Sequence, residues 1–438
     1  PMTVPRNHVK PGRMASLYRN AVLRQVSKLK HGVLTIQDPW GGVRIGEGRA
    51  GLFPEIRVHD PRFYKRVLFR GDLGAAESLM DGDWSSESLT ETVRFFIRNM
   101  NLVDKLDRGV AHWSHLASRC VHWLRKNTLQ GARRNISQHY DLGNDFYRLF
   151  LDDTMAYSSG VFQRPEATLY DASIAKFDRI CRKMELSADD RVVEIGTGWG
   201  GWAIYAAEKY GCHVTTTTIS QQQYEYATNL ARQKGLEDRV SVLKQDYRDL
   251  EGVFDKLVSI EMIEAVGHRY FDKYFQTCQR LLKPDGLAVL QAILIRDQRY
   301  DAHLKSSDFI RQYIFPGGDL PSTRAILDST SRHTDFRLLQ YEELSDHYAE
   351  TLRRWRASFC EQKSEVIKLG FDQRFIRMWL YYLCYCEAAF EERQVNSVQL
   401  TLARAHHQGD PISVAYKPEP VSKNRCIQST PNVMESLN

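Results

Sequence analysis

The chain of 438 residues carries a formal net charge of +6, with 42% hydrophobic and 26% charged residues, which excludes wholesale disorder. Its 27 glycines and 14 prolines are too few for a fibrous or low-complexity protein, and its length calls for two or three domains. No apolar run reaches the roughly 18 residues of a membrane-spanning helix, and no signal peptide is expected.

Residues 1–30 hold seven lysines and arginines and no acid. Within them Met14, Leu17, Tyr18, Ala21, Val22, Val26 and Leu29 recur at helical spacing, with Arg13, Arg19, Arg24, Lys28 and Lys30 on the other side. Such a helix either lies in a membrane interface or packs on its own domain with its bases solvated. Residues 33–45 (VLTIQDPWGGVRI) predict two short strands about a Pro/Gly turn, and residues 54–100 alternate strand-like and helical patterns. Residues 101–135 are basic again, seven bases against Asp104 and Asp107, and read as a linker or docking arm. A basic front on an acidic remainder points to an anionic surface as partner. No nucleic-acid-binding motif accompanies the charge, so nucleic acid is not expected.

From about residue 170, strand-like runs at 191–195, 213–219, 239–243, 255–260 and 286–293 alternate with helical segments. That alternation predicts a parallel, doubly wound α/β sheet, with ligands at the carboxyl ends of its strands. An insertion spans about 300–375, and residues 409–438 read as a disordered tail. The eight cysteines are scattered, as in a reducing cytoplasm, and Cys384 and Cys386 stand in a helical tract without zinc spacing, so no metal is expected.

Glu194-Ile195-Gly196-Thr197-Gly198-Trp199-Gly200-Gly201 follows a strand and opens a helix. Glycines there let the backbone turn sharply and approach a ligand. A lone G-x-G also serves dinucleotide folds. Here an acid (Glu194) precedes the first glycine by two, and Asp246 ends a later strand where an acid can bind adenine N6. Both point to S-adenosylmethionine (SAM). The second strand ends in Thr217-Thr218-Ile219-Ser220 rather than in an acid for the ribose, and Gln223 can substitute. Glu264 lies in an apolar stretch (SIEMIEAVG), where an unpaired carboxylate is expensive unless it functions; Glu261 is the weaker candidate and pairs locally.

The segments HYDLGNDFY (139–147), MAYSSG (155–160), EIGTGWGG (194–201), TTISQQQ (217–223), QDYRDL (245–250), EMIEAVGHRYFD (261–272) and YIFPGG (313–318) carry a resemblance. From roughly residue 54 to 405 the chain resembles cyclopropane-fatty-acyl-phospholipid synthases and, more distantly, mycolic acid cyclopropane synthases. The resemblance implies a Rossmann-like class I SAM-dependent methyltransferase domain over 131–408. A smaller α+β, lipid-contacting domain with its linker would occupy 1–130. It implies a cytoplasmic enzyme, peripheral on the inner face of the membrane, possibly a homodimer. The enzyme would add a methylene from SAM across the cis double bond of an unsaturated phospholipid.

Carried over, the SAM contacts are Tyr157, Ser158, Glu194, Gly196, Gly198, Thr218, Gln223, Asp246 and Tyr247. The base is a bicarbonate ion held by Glu264, Tyr348, the backbone of Ile293, and two departures from the family pattern: Ser159 for cysteine and Gln291 for histidine. These departures leave a methyl- or methylene-branched product open beside the ring. Tyr313, Phe315, Tyr341 and Tyr348 are expected to line the acyl site, His139 and Asp145 to touch the ligand or fix a loop, and His268 to be structural.

Overall fold

A computed structural model describes residues 12–46, 51–100, 142–306 and 308–409. The basic arm at 101–135, His139 and nearly all of the expected tail lie outside the described residues.

The first layer runs α1 (Arg13–Val26), β1 (Leu34–Asp38), β2 (Gly41–Ile45), β3 (Glu55–Val58), α2 (Arg62–Met80), β4 (Trp84–Ser85) and α3 (Leu89–Arg98). Its sheet has the order β2-β1-β3-β4, with β1 and β3 parallel and the outer pairs antiparallel. The apolar stripe expected on α1 divides. Val22 and Leu29 are buried, whereas Met14 and Leu17 remain 59% and 61% exposed. Arg19 does not join the free basic face. Its Nε donates to the buried Asp38 carboxylate at 2.6 Å, and its guanidinium lies 5.4 Å from the Trp40 ring centre. A carboxylate out of water needs such a partner.

The second layer begins with α4 (Asn144–Arg148) and α5 (Leu169–Lys183). It continues through β5 (Arg191–Ile195), α6 (Gly201–Tyr210), β6 (His213–Thr218), α7 (Gln221–Gln233), β7 (Val240–Lys244), β8 (Phe254–Ile260), α8 (Phe271–Leu281) and β9 (Leu282–Ile295). The remaining elements are α9 (Asp297–Lys305), a π-helical turn (Ile310–Ile314), α10 (Thr323–His333), β10 (Arg337–Glu343), α11 (Ser345–Glu361), α12 (Lys363–Lys368), α13 (Gln373–Glu391) and β11 (Val395–Ala403).

These strands form one seven-stranded sheet, β10-β11-β9-β8-β5-β6-β7. β5 to β9 are parallel, and β11 enters antiparallel between β9 and β10. The five anticipated strands are all present. β10 falls inside the stretch expected as an insertion, because its seven residues (RLLQYEE) are half solvated at the sheet edge and lack an apolar alternation. The strand order reverses beside β5, so a crevice opens at the carboxyl ends of β5 and β8.

One apolar core joins the two layers, running from Val22, Leu34 and Phe95 to Phe146, Trp355 and Trp379. Polar ties cross the same boundary. Thr90 donates to Glu387 at 3.2 Å, Arg94 and Arg98 both reach Glu392, and Arg377 Nε donates to the Met80 carbonyl at 2.7 Å. The first layer thus braces α13, a wall of the site.

Candidate active site

The glycine loop leaves β5 with Gly196, Gly198 and Gly200 at φ of 99°, 52° and 88°. A side chain would be strained at each of them. Gly201 has a different reason to be glycine: a Cβ there would lie 2.7 Å from the Thr154 carbonyl oxygen. Trp199 Nε1 donates to Asn144 at 2.8 Å, fastening α4 over the loop.

Thr218 and Gln223 are neighbours, with Thr218 Oγ1 donating to Gln223 Oε1 at 2.8 Å. Tyr247 brings a buried hydroxyl with no partner among the described residues, which suits a ligand beside it. Glu194 and Asp246 differ from expectation. Glu194 is buried and accepts from Thr216 at 2.5 Å, so burial raises its pKa to about 8 and it anchors β5 to β6. Asp246 holds Arg248 through both oxygens, at 2.8 and 2.7 Å. Its capacity for adenine is what that pair leaves. Asp145, on α4, pairs with Arg148 at the surface rather than touching the loop.

Lys176 of α5 was not anticipated. It is fully buried, and its Nζ donates to Ser158 Oγ at 2.5 Å. Burial lowers its pKa to about 8, opposed by the charges of Glu261, Asp152 and Glu194. The signal was available: Ala172, Phe177 and Ile180 share the buried face of α5, and a lysine stands among them.

Two carboxylates stand beyond the carboxyl end of β8. Glu261, at a left-handed φ of 50°, is buried and receives three hydrogen bonds. These come from Ser159 N at 3.0 Å, Gln291 Nε2 at 2.8 Å and Tyr348 Oη at 2.7 Å. Glu264 accepts from Ile293 N at 2.5 Å, and its Oε2 has no partner among the described residues. Burial, then the charge of Glu261, raises Glu264 to about 8.

The five predicted catalytic residues are therefore neighbours, but Glu261 and not Glu264 is their hub. An anion held by Tyr348, Gln291, Ser159 and Ile293 does not fit here. Ser159 Oγ donates to Gly160 O at 3.0 Å, Gln291 Oε1 accepts from Gln399 at 3.0 Å, and the other donors already face resident carboxylates. Glu264 Oε2 has no partner among the described residues, but it belongs to a carboxyl group and not to one of these four donors.

Aromatic rings close over this pair. Tyr157 lies 5.3 Å from Trp355 and shares a 2.8 Å hydroxyl contact with Tyr382. Tyr348 stacks on Phe390 at 4.4 Å, and Phe315 reaches both Tyr157 and Tyr382 at 6.5 and 6.1 Å. Phe315 and Tyr348 thus both join this aromatic group. Tyr313 instead turns to the first layer and donates to Glu77 at 2.7 Å, and Tyr341 sits on β10, 40% exposed. The loop carrying Phe315 is fastened to the Glu264 segment. Asp319 N donates to Glu264 O at 2.9 Å, and the Asp319 carboxylate holds both buried Arg311 and His268. Burial alone would raise Asp319, yet His268 and Arg311 keep its pKa down at about 2.

A family model for mycolic acid cyclopropane synthetase matches residues 127–400, more than half of the chain. The chain belongs to that family. A cyclopropane-fatty-acyl-phospholipid synthase of Escherichia coli K12 is 36% identical over 81% of this chain and 89% of its own. The tuberculostearic acid methyltransferase UfaA1 of Mycobacterium tuberculosis is 38% identical over 80% and 83%. Among solved structures, the mycolic acid cyclopropane synthase CmaA1 complexed with SAH and CTAB superposes with a TM-score of 0.58 at 31% identity, covering 62% of this chain and 98% of that one. This cyclopropane synthetase family member has the class I SAM-dependent methyltransferase fold, and it is a SAM-dependent methyltransferase of the cyclopropane synthase type. Among the described residues, no helix is long and apolar enough to cross a membrane.

Proposed function

We propose that the chain transfers a methylene group from SAM to the cis double bond of an unsaturated acyl chain in a phospholipid, forming a cyclopropane. The observation that carries this reading is the buried carboxylate pair under an aromatic wall, at the carboxyl end of the sheet. SAM supplies an electrophilic methyl group on its sulfonium. The alkene is a weak nucleophile, so its attack needs the chain held in line at near-attack distance. Attack leaves a carbocation on the acyl chain. Tyr157, Trp355 and Phe315 present π faces to a cation and exclude water that would quench it. A proton of the transferred methyl must then leave, and its C–H electron pair closes the ring.

On this reading Tyr157 and Ser158 face the cofactor carboxylate, with Ser158 held by Lys176. Gly196 and Gly198 give the backbone approach, and Thr218 with Gln223 takes the ribose. Tyr247 and Asp246 flank the adenine. The lipid arrives from an anionic membrane surface, met by α1 and its exposed Met14 and Leu17 beside Arg13.

The test is mass spectrometry of cis-monounsaturated phospholipid vesicles after incubation with the protein and SAM. A gain of one CH₂ on a chain that no longer reacts as an alkene is expected. The same gain with the alkene retained would establish a methylene-branched product instead. No gain with any such lipid would refute both.

A further inference from the structure

We infer that the Glu261 carboxylate is a built-in replacement for a diffusible oxyanion such as bicarbonate, and that it is the group on which the proton lost from the transferred methyl comes to rest. This rests on the proposed methylene transfer.

The argument is one of donors. A bound oxyanion needs hydrogen-bond donors converging on one point. Those that the family resemblance assigns to it are the Tyr348 hydroxyl, the side chains at 291 and 159, and the Ile293 N–H. Tyr348 Oη and Gln291 Nε2 end on Glu261, at 2.7 and 2.8 Å. The backbone N–H of Ser159 does the same at 3.0 Å. Ile293 N ends on Glu264. The side chain of Glu261 therefore stands where those donors converge, with one oxygen taking two of them and the other oxygen the third. A second anion would meet the Glu261 carboxylate and find no donor left among these four groups.

A carboxylate in that position has the chemistry the step requires. Burial raises its pKa, and the three hydrogen bonds oppose that rise by favouring the ionised form. Three of its roughly four lone-pair sites are used, leaving one for a proton. When the C–H pair of the methyl group forms the last carbon–carbon bond, the proton passes to Glu261 and its charge goes from −1 to zero. No oxidant, reductant or co-reactant enters. The branched product loses one proton as well, so the assignment holds for either outcome.

The backbone supplies a clean variant. Glu261 sits at a φ of 50°, which glycine adopts freely, so Glu261→Gly empties the site without straining the chain. S-adenosylhomocysteine formation would be followed in CO₂-stripped buffer, with and without added bicarbonate. In parallel, ¹³C-bicarbonate would be titrated by NMR. The wild type is expected to turn over equally in both buffers and to leave the ¹³C signal unperturbed. Glu261→Gly is expected to lose at least about 100-fold in stripped buffer, to recover with bicarbonate, and to broaden the ¹³C signal. Glu261→Gln, which keeps the shape without the charge, should fall as far and gain nothing from bicarbonate.

A wild type that needs or binds bicarbonate would overturn the inference, as would a Glu261→Gly variant that keeps wild-type turnover in stripped buffer. If the wild type formed no product with any cis-unsaturated phospholipid, the parent reading would fail. The ¹³C titration would still decide what fills the anion site.

Discussion

Replacing Lys176 by methionine separates stability from function. The ammonium is fully buried, and its pKa falls from 10.5 to about 8. Because the folded pKa lies below the unfolded one, the folded chain binds this proton less well. The penalty is full below pH 8 and shrinks as pH rises towards 10.5. At neutral pH that difference is about 3 kcal/mol against the fold. Lys176→Met removes the penalty, fills the same volume, and forfeits one charge-assisted bond to Ser158 of about 1.5–3 kcal/mol. Glu194 and Glu261, deprived of this cation, can each take a proton rather than remain as bare charges. Urea unfolding at pH 7 should therefore give a variant between equally stable and about 1.5 kcal/mol more stable. SAM affinity by calorimetry should fall at least about tenfold, since Ser158 loses the donor that orients it. A variant 3 kcal/mol or more less stable than wild type, with unchanged SAM affinity, would refute the reasoning.

Glu264 has a folded pKa raised from 4.5 to about 8, so its contribution to stability is full below 4.5 and lost as pH rises through about 8. Glu264→Gln keeps a neutral group throughout, and the decline of unfolding free energy across that window should become shallower, leaving the shares owed to Glu194 and Glu261, both also raised by burial; an unchanged slope would remove Glu264 from the account. Asp319→Asn leaves buried Arg311 its bonds to the carbonyls of His303 and Gly318 but takes away its counter-charge, so unfolding by urea at pH 7 should show a loss of about 3 kcal/mol. The loss should vanish as pH falls from about 4 to about 2, where the wild-type carboxylate takes its own proton.

The five parallel strands were legible because each is a short apolar or β-branched run bounded by turn residues. β10 and β11 were not. Their role depends on pairing with distant residues, as Ser397 with Ile293 and Glu343 with Val398, and no local pattern announces that. The site followed the same division. Motif positions brought Tyr157, Ser159, Glu264, Gln291 and Tyr348 to one place. Which carboxylate the donors would choose turned on the left-handed backbone at Glu261, and three residues of spacing cannot report a φ angle. Tyr341 was misplaced because an aromatic residue on a half-solvated edge strand looks in sequence like one lining a pocket.

The left-handed backbone at residue 261 also bears on how such an enzyme evolves. Glutamate and glycine codons differ only at their second base, and glycine is the residue that this conformation accepts most readily. A lineage can therefore exchange a resident proton acceptor for one drawn from dissolved carbon dioxide through a single nucleotide change, with no backbone rearrangement between the two states. Dependence on bicarbonate, and with it sensitivity of membrane-lipid modification to the carbon dioxide a cell retains, becomes a trait that one position can add or remove.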